Sequence, residues 1–379
     1  MSSLPLRVAR SEHPRRVIVG LSGGVDSAVA AWMLQAAGHT VEAMFMKNWE
    51  EDDAPGQCSA EQDLADARQV ADTLGIVLHQ VNFAAEYRRD VFEHCLAELR
   101  VGRTPNPDVL CNREIKFKRF LHHAMRLGAE RVATGHYARL AEVDSQMRLL
   151  RARDDRKDQT YFLYMVPQSA LQLSLFPLGD LLKTEVRAIA EAVGFDNFEK
   201  KDSTGICFIG ERDFRSFMQR YLPSIPGPVV STDGLEIGQH EGLAFYTIGQ
   251  RQGLGIGGVP GRSGPWFVVD KDLAGNRLIV AEGGEHPALL SCALRMHEAH
   301  WCSGSPPGCD RPLKARLRHG QPLQACVLEA LGDAGDWQLH FADPQRAATP
   351  GQSVVLYDHE VCLGGGVIAE TTPLPENPR

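Results

Sequence analysis

The sequence predicts an α/β fold that gives way to β structure: a parallel sheet with helices on both faces over 1–222, a small β-rich domain over 223–285, and a C-terminal β-barrel over 286–379. Three observations predict it. In the first third, short apolar runs alternate with Ala-rich or amphipathic stretches, the pattern of strand–helix units that build a parallel sheet. After about Pro223, Gly and Pro become frequent, as in Pro226-Gly227-Pro228 and from Gly253 to Gly264. From Leu313 onward, short strand signals recur to the end.

Taken in order, Arg16-Val17-Ile18-Val19 is an apolar run closed by Gly20 and reads as a buried strand. Asp26 to Ala37 is Ala-rich and stopped by Gly38, so it reads as a helix. Val41 to Met46 is the next strand. Ser59-Ala60-Glu61-Gln62 has the form of a capping box and opens a helix that runs to Gly75. Val77 to Val81 is a strand, Ala85 to Leu99 a helix, Asn112 to Leu127 a helix stopped by Gly128, and Arg131 to Thr134 a strand. Arg151 to Lys157 reads as a charged linker and Lys183 to Gly194 as a further helix. Trp266 to Val269 and Leu278 to Val280 flank Gly275-Asn276 and read as a hairpin. The first fourteen or so residues are expected to be loose.

Composition narrows the class. The chain is 43% hydrophobic and 23% charged, ordinary globular usage. No run of about eighteen apolar residues marks a membrane span, so no membrane association is expected. Nine cysteines, an odd number spread along 379 residues, do not form a disulfide scaffold; a reduced, cytoplasmic setting fits them. A net charge of −8 argues against coating nucleic acid through bulk charge and leaves room for a local basic face.

The first chemical motif is Gly20-Leu21-Ser22-Gly23-Gly24-Val25-Asp26-Ser27, between the first strand and the first helix. A helix N-terminus offers unpaired amides and the positive end of a dipole, so it attracts phosphate. Two glycines let the backbone close on an anion, and two serines add donors. Asp26 is placed to cap the helix or to help hold a metal ion on the phosphates. The loop is not the Gly-x-x-x-x-Gly-Lys-Ser/Thr type. It resembles the Ser-Gly-Gly-x-Asp-Ser pyrophosphate loop of the ATP-pyrophosphatase superfamily, whose members cleave ATP to AMP and pyrophosphate. By itself it does not choose among amide ligases, lysidine-forming enzymes and thiolases.

Two cysteine segments come next. In Thr104-Pro105-Asn106-Pro107-Asp108-Val109-Leu110-Cys111-Asn112, two prolines predict a rigid non-helical loop, with Cys111 at the start of the next helix, where the dipole favours a thiolate. Asp108 stands three residues earlier as a candidate acid or base. In Asp202-Ser203-Thr204-Gly205-Ile206-Cys207-Phe208-Ile209-Gly210, glycines predict a tight turn, and Lys200, Lys201 and Arg212 supply cations that lower a thiol pKa. Each cysteine taken alone reads better as a buried structural residue.

Together, these segments resemble the bacterial tRNA-specific 2-thiouridylase family. The resemblance extends through Met44 to Trp49, Ala133-Thr134-Gly135-His136-Tyr137, Lys157-Asp158-Gln159-Thr160-Tyr161-Phe162-Leu163, Gln250 to Gly258 and Val361 to Gly366, nearly the whole chain. It implies a Rossmann-like ATP-pyrophosphatase domain (adenine nucleotide alpha hydrolase-like), and ATP with magnesium as cofactors. It also implies 2-thiolation of the wobble uridine through adenylation of the uracil C2 oxygen. By the same resemblance, Gly20 to Ser27, Met46 and Gly135 hold ATP, and Asn106, Pro107 and Asp108 contact the target base. Cys207 carries a persulfide and Cys111 is its partner nucleophile, the two joining in a transient disulfide. Lys157, Asp158, Gln159, Arg316 and Leu317 contact tRNA. Expected partners are tRNAs for Lys, Glu and Gln and a sulfur-relay protein or cysteine desulfurase.

Charge patterning adds weaker candidates. Seven Lys/Arg and two acids lie between Arg100 and Arg126, and Arg113, Lys116 and Arg119 are three apart on a predicted helix, hence neighbours. Lys314, Arg316 and Arg318 alternate on a predicted strand and share a face. Both groups read equally as solvated surface. His297, His300, Cys302 and Cys309 have no standard zinc spacing, and no metal centre is expected. Another adenylating enzyme on the same loop and a non-catalytic ATP- and tRNA-binding module remain open alternatives.

Overall fold

The computed structural model describes residues 8–50, 59–201, 214–309, 311–332 and 335–374. Among the described residues, seven strands lie in the first 175: β1 (Arg16–Gly20), β2 (Thr40–Lys47), β3 (Leu78–Asn82), β4 (Arg131–Ala133), β5 (Arg139–Val143), β6 (Gln146–Leu150) and β7 (Ser174–Leu175). Five of them form one parallel sheet in the order β3-β2-β1-β4-β7. β1 is central. Val17, Ile18 and Val19 are fully buried, as an apolar run covered on both faces must be.

Alternation along β1 assigns the faces. Val17 and Val19 pack with Ala31 and Leu34 of α1 (Val25–Ala36). Ile18 and Met44 pack with Tyr87, Val91, Phe120 and Ala124, from helices spanning 84–100 and 107–126. α2 (Ser59–Leu74) and the helix Lys183–Val193 lie on the α1 side.

Two helices differ from their expected form. The 107–126 helix begins at Pro107, not at Asn112: Asn106 is its N-cap, accepting the Val109 N–H at 3.4 Å, and Pro107 fills the first helical position, where its missing N–H costs nothing. The second proline therefore starts the helix instead of prolonging a loop, and Cys111 is its fifth residue. From Asn112 to Phe120 the helix is a π-helix, as is Arg88–Phe92 in the 84–100 helix. Its i→i+5 bonds widen the turn, so Leu110, Ile115 and Phe120, five apart, are all buried. The expected capping box turns on the Ser59 side chain, which lies outside the described residues; the Gln62 amide donates forward to Asp66 at 2.7 Å.

The middle sheet has the order β10-β11-β8-β9, from β8 (Gly227–Ser231), β9 (Glu236–His240), β10 (Trp266–Asp272) and β11 (Arg277–Glu282). The expected hairpin is β10–β11, with Asn276 at φ +48°. The last six strands, β12 (Leu290–Trp301), β13 (Leu313–Arg316), β14 (Gln324–Leu331), β15 (Asp336–Arg346), β16 (Ser353–Asp358) and β17 (Val361–Pro373), run in the order β12-β15-β14-β13-β16-β17. β17 pairs back to β12, which closes the barrel and removes its edges.

One hairpin crosses between domains. β5 and β6 turn through Asp144 and Ser145, both at positive φ, and β6 joins β17 by the pairs Leu150↔Val361 and Leu149↔Cys362. Among the described residues no helix is long and apolar enough to cross a membrane.

Candidate active site

The C-terminal ends of the parallel strands open onto one crevice, and the order of the sheet reverses between β1 and β4. Ligands bind open α/β sheets at such a switch point. Residues 21–24 turn from β1 into α1 there. Ser27 Oγ donates to the Gly24 carbonyl at 3.0 Å and accepts the Ser22 N–H at 3.2 Å, and the Ser22 hydroxyl is 3.2 Å from it. Gly23 adopts φ +76°, and a Cβ there would lie 2.4 Å from the Asp63 carbonyl oxygen. The loop is therefore shaped by glycine and serine before any anion arrives.

Gly135, just beyond β4, faces the same turn: a Cβ on it would lie 2.7 Å from Ser27 N and 2.8 Å from Asp26 C. Gly135→Ala should push against backbone on both sides, an overpacking cost of about 1–3 kcal/mol. Calorimetric titration with a non-hydrolysable ATP analogue should then show affinity lower by roughly ten- to a hundredfold. Unchanged affinity would remove Gly135 from the nucleotide site. Met46, at the end of β2, places its Cε 3.6 Å from where a Gly20 Cβ would stand. Phe120 of the 107–126 helix approaches the same spot, also at 3.6 Å, so this helix underlies the end of β1.

Asp26 does not cap α1; the N-cap is Gly24, without a side-chain bond. Its carboxylate is held instead by Lys183 Nζ at 2.7 and 2.8 Å and by the Tyr137 hydroxyl at 2.8 Å. Lys200 and Asn197 donate to the Gly23 carbonyl at 3.4 and 3.0 Å, and Lys200 also pairs with Asp63 and Asp66 at 2.8 and 2.6 Å. Burial opposes the Lys200 charge, but the bonds to the two aspartates prevail and raise its pKa. The ammonium groups of Lys183 and Lys200 thus flank the loop. Sequence reading missed Lys183 and assigned Lys200 to Cys207 instead, because nothing local marks a lysine that reaches the loop from more than 150 positions away.

The Asn106–Cys111 turn opens the same 107–126 helix. Cys111 is fully buried and has a free thiol. Asp108 Oδ1 is shielded from solvent and takes no hydrogen bond, an unsatisfied acceptor of the kind that a proton-bearing ligand would complete. Asn48, one residue beyond β2, is 2% exposed, with neither amide atom bonded. Nearby His136 bonds Thr134 Oγ1 at 2.7 Å; its burial, with Lys116 adding to it, holds its pKa well below the usual range and the ring neutral. Cys207 lies outside the described residues.

Several residues expected to face RNA are turned inward. Asp158 and Arg316 form a buried ion pair at 2.7 Å, with side chains 0% and 5% exposed. Asp158 Oδ1 also accepts Thr160 Oγ1 at 2.9 Å and the Ala152 N–H at 3.2 Å. Leu317 is buried. Arg318 lies beyond β13 and donates to the carbonyls of Ala347 at 2.6 Å and Ile248 at 3.3 Å. Of the three alternating residues, Lys314 is exposed, Arg316 is covered by its ion pair across the domain boundary, and Arg318 lies past the end of the strand. Gln159 accepts the Tyr137 N–H at 2.9 Å, and Lys157 is half-buried beside it.

The 113/116/119 row is corrected too, since the widened helix spreads residues three apart. Arg113 bonds Glu114 at 2.8 Å, Arg119 bonds Asp90 at 3.2 Å, and Lys116 lies 3.5 Å from His136 Nε2. His300 Nδ1 lies 2.9 Å and Cys302 Sγ 3.5 Å from the Tyr164 carbonyl.

Known families match the chain along most of its length. The family model described as "tRNA methyl transferase HUP domain" matches residues 15–211, "tRNA methyl transferase PRC-barrel domain" matches 215–282, and "Aminomethyltransferase beta-barrel domain" matches 291–368. A tRNA-specific 2-thiouridylase MnmA from Alkalilimnicola ehrlichii is 56% identical over 360 residues, 95% of this chain and 98% of that protein. One of the same description from Citrobacter koseri is 55% identical over 367 residues, 96% and 100% of the two chains. A solved structure, the U34-tRNA thiolase NcsA from Methanococcus maripaludis, bears a faint likeness, with TM-score 0.34 and 18% identity over 58% of this chain and 70% of that one.

Proposed function

Because the chain belongs to the tRNA-specific 2-thiouridylase family, a family of tRNA sulfurtransferases, we propose that it thiolates the wobble uridine of tRNA by adenylating the uracil C2 oxygen and delivering sulfur from a cysteine persulfide. The observation that carries this reading is that a glycine–serine phosphate loop stands at the end of β1, and that the helix whose Phe120 reaches the same spot is the one that begins with the Asn106–Cys111 turn.

The chemistry explains why both are needed. A uracil C2 oxygen is a poor leaving group. Its attack on the α-phosphorus of ATP expels pyrophosphate and leaves AMP on C2, ready to depart. The loop amides, with the Ser22 and Ser27 hydroxyls, would receive the phosphates. Lys183 and Lys200 supply positive charge beside them. Magnesium fits the hard oxygens of Asp26 and of the phosphates, and would neutralise the charge of the leaving pyrophosphate.

Asn106, Pro107 and Asp108 would meet the base, Asp108 Oδ1 accepting a proton. The target nucleotide must leave its stack to reach them. The terminal sulfur of a Cys207 persulfide attacks C2 and AMP leaves. Cys111 thiolate then attacks the Cys207 sulfur, so that the persulfide bond breaks and a Cys111–Cys207 disulfide forms. The transferred sulfur keeps the electron pair, and a thiol reductant resets the pair. The Cys111 thiol is covered in this structure, so binding of RNA must uncover it. Expected partners are the tRNAs for Lys, Glu and Gln, and a sulfur-relay protein or cysteine desulfurase as persulfide donor.

The test is nucleoside mass spectrometry of tRNA incubated with the protein, ATP, magnesium and a sulfide donor. The expected result is 2-thiouridine that requires ATP and is accompanied by AMP. AMP formation without a thiolated base would point to a different adenylation, and no AMP at all would point to a binding module.

A further inference from the structure

Tyr161 stands where the catalytic domain meets the barrel. It is 1% exposed. Its hydroxyl lies 2.9 Å from the Ser353 carbonyl and 3.1 Å from the Leu317 carbonyl, both in the barrel. One phenol thus ties two barrel segments to the 160–163 helix, which packs against the 107–111 turn and accepts the Asn112 amide at the Phe162 carbonyl, 3.0 Å away.

A second tether lies just upstream. Gln352 Nε2 donates to the Thr104 and Pro105 carbonyls at 2.9 and 3.0 Å, and Thr104 N–H donates to Pro350 O at 2.9 Å. Gly351, at φ +91°, comes so close that a Cβ would lie 2.8 Å from Thr104 N. Lys271 of the middle domain holds the Gly102 carbonyl at 3.0 Å. Three of the five residues entering the 107–126 helix, Gly102, Thr104 and Pro105, are therefore held from outside their own domain.

We propose that Gln352 is a positioning residue for sulfur transfer: through it the barrel sets where Asn106, Pro107 and Asp108 stand against the target base. This rests on the proposed base contact. Gln352 does not touch the reacting atoms; its effect passes through the turn. A displacement of about 1 Å at a reacting group costs up to roughly a hundredfold in rate.

Tyr161 supplies the internal control. Its hydroxyl also bonds the barrel, at the Ser353 and Leu317 carbonyls, but neither bond goes to residues 102–106. The experiment measures kcat and KM for tRNA thiolation, with binding of an ATP analogue and melting temperature, for Gln352→Ala and Tyr161→Phe of the full chain. Gln352→Ala should lower kcat by roughly ten- to a hundredfold with nucleotide affinity unchanged. Tyr161→Phe should lower the melting temperature at least as much but keep the wild-type kcat. Gln352→Ala combined with Asn106→Ala should lose little beyond Asn106→Ala alone. Equal losses of kcat in the two variants, or full additivity with Asn106→Ala, would overturn the proposal. A wild-type chain that forms no 2-thiouridine would overturn the reading beneath it, before any variant is compared.

Discussion

Cys111→Ser should lower 2-thiouridine formation by more than about a thousandfold while the protein still binds ATP, because the proposed step needs a thiolate and a serine hydroxyl is not ionised near neutral pH. The substitution is nearly isosteric, and Cys111 is fully buried. Its structural cost is that of one unpaired buried hydroxyl, about 1–3 kcal/mol. Cys95 provides the comparison. It belongs to the same buried cluster, and desolvation, with Asp108 adding to it, pushes its thiol up to about 12, so it stays protonated. Cys95→Ser should therefore carry a similar folding cost and retain thiolation. Single-turnover assays with a preloaded persulfide make the difference explicit. If Cys111→Ser thiolates at the rate of Cys95→Ser, release of sulfur through a Cys111–Cys207 disulfide is wrong.

Asp158→Ala should destabilise the joint between catalytic domain and barrel by about 3–5 kcal/mol, the cost of leaving one member of a buried ion pair without its partner. The alanine would strand the Arg316 guanidinium, 5% exposed, and would also take the carboxylate away from the Ala152 N–H and from Arg151, 3.6 Å away. Denaturant unfolding followed by tryptophan fluorescence, to which the edge-on pair Trp301–Trp337 in the barrel contributes, measures it. Asp158→Leu combined with Arg316→Met should recover much of the loss, since a packed apolar pair carries no desolvation penalty. A loss below about 1 kcal/mol for Asp158→Ala would mean that the pair behaves like an exposed ion pair.

Range along the chain decides how much the sequence reveals. The phosphate loop was legible because strand, glycines and helix start lie within twelve residues, and local context is what confirms a motif. The parallel sheet was legible for the same reason, and so was the β10–β11 hairpin. The π-helix was not: a search at 3.6 residues per turn finds a helix but not the wider turn, and so misassigned the neighbours of Arg113. Nor was the start at Pro107, where proline reads as either a breaker or a first residue. The barrel arginines failed for a third reason. Alternation says which residues share a face and not what covers it, and Arg316 finds Asp158 across a domain boundary. The β5–β6 turn, Asp144-Ser145, lacks the glycine that usually announces a tight hairpin.

That hairpin also has a history in time. Its outer strand β6 completes its pairing only with β17, near the end of the chain. During synthesis, Val361 emerges roughly 200 residues after Leu150, and at about 5–20 residues per second the interval is on the order of ten to forty seconds. Throughout it β6 is an open edge next to a nearly finished nucleotide-binding domain. The family-model boundaries near residues 211–215 and 282–291 therefore do not mark places where the protein can be cut into self-sufficient parts. A fragment that ends before β17 keeps an unpaired edge, and a barrel expressed alone lacks the strand that covers one of its own. The last strand to be made closes the barrel and seals the first domain together.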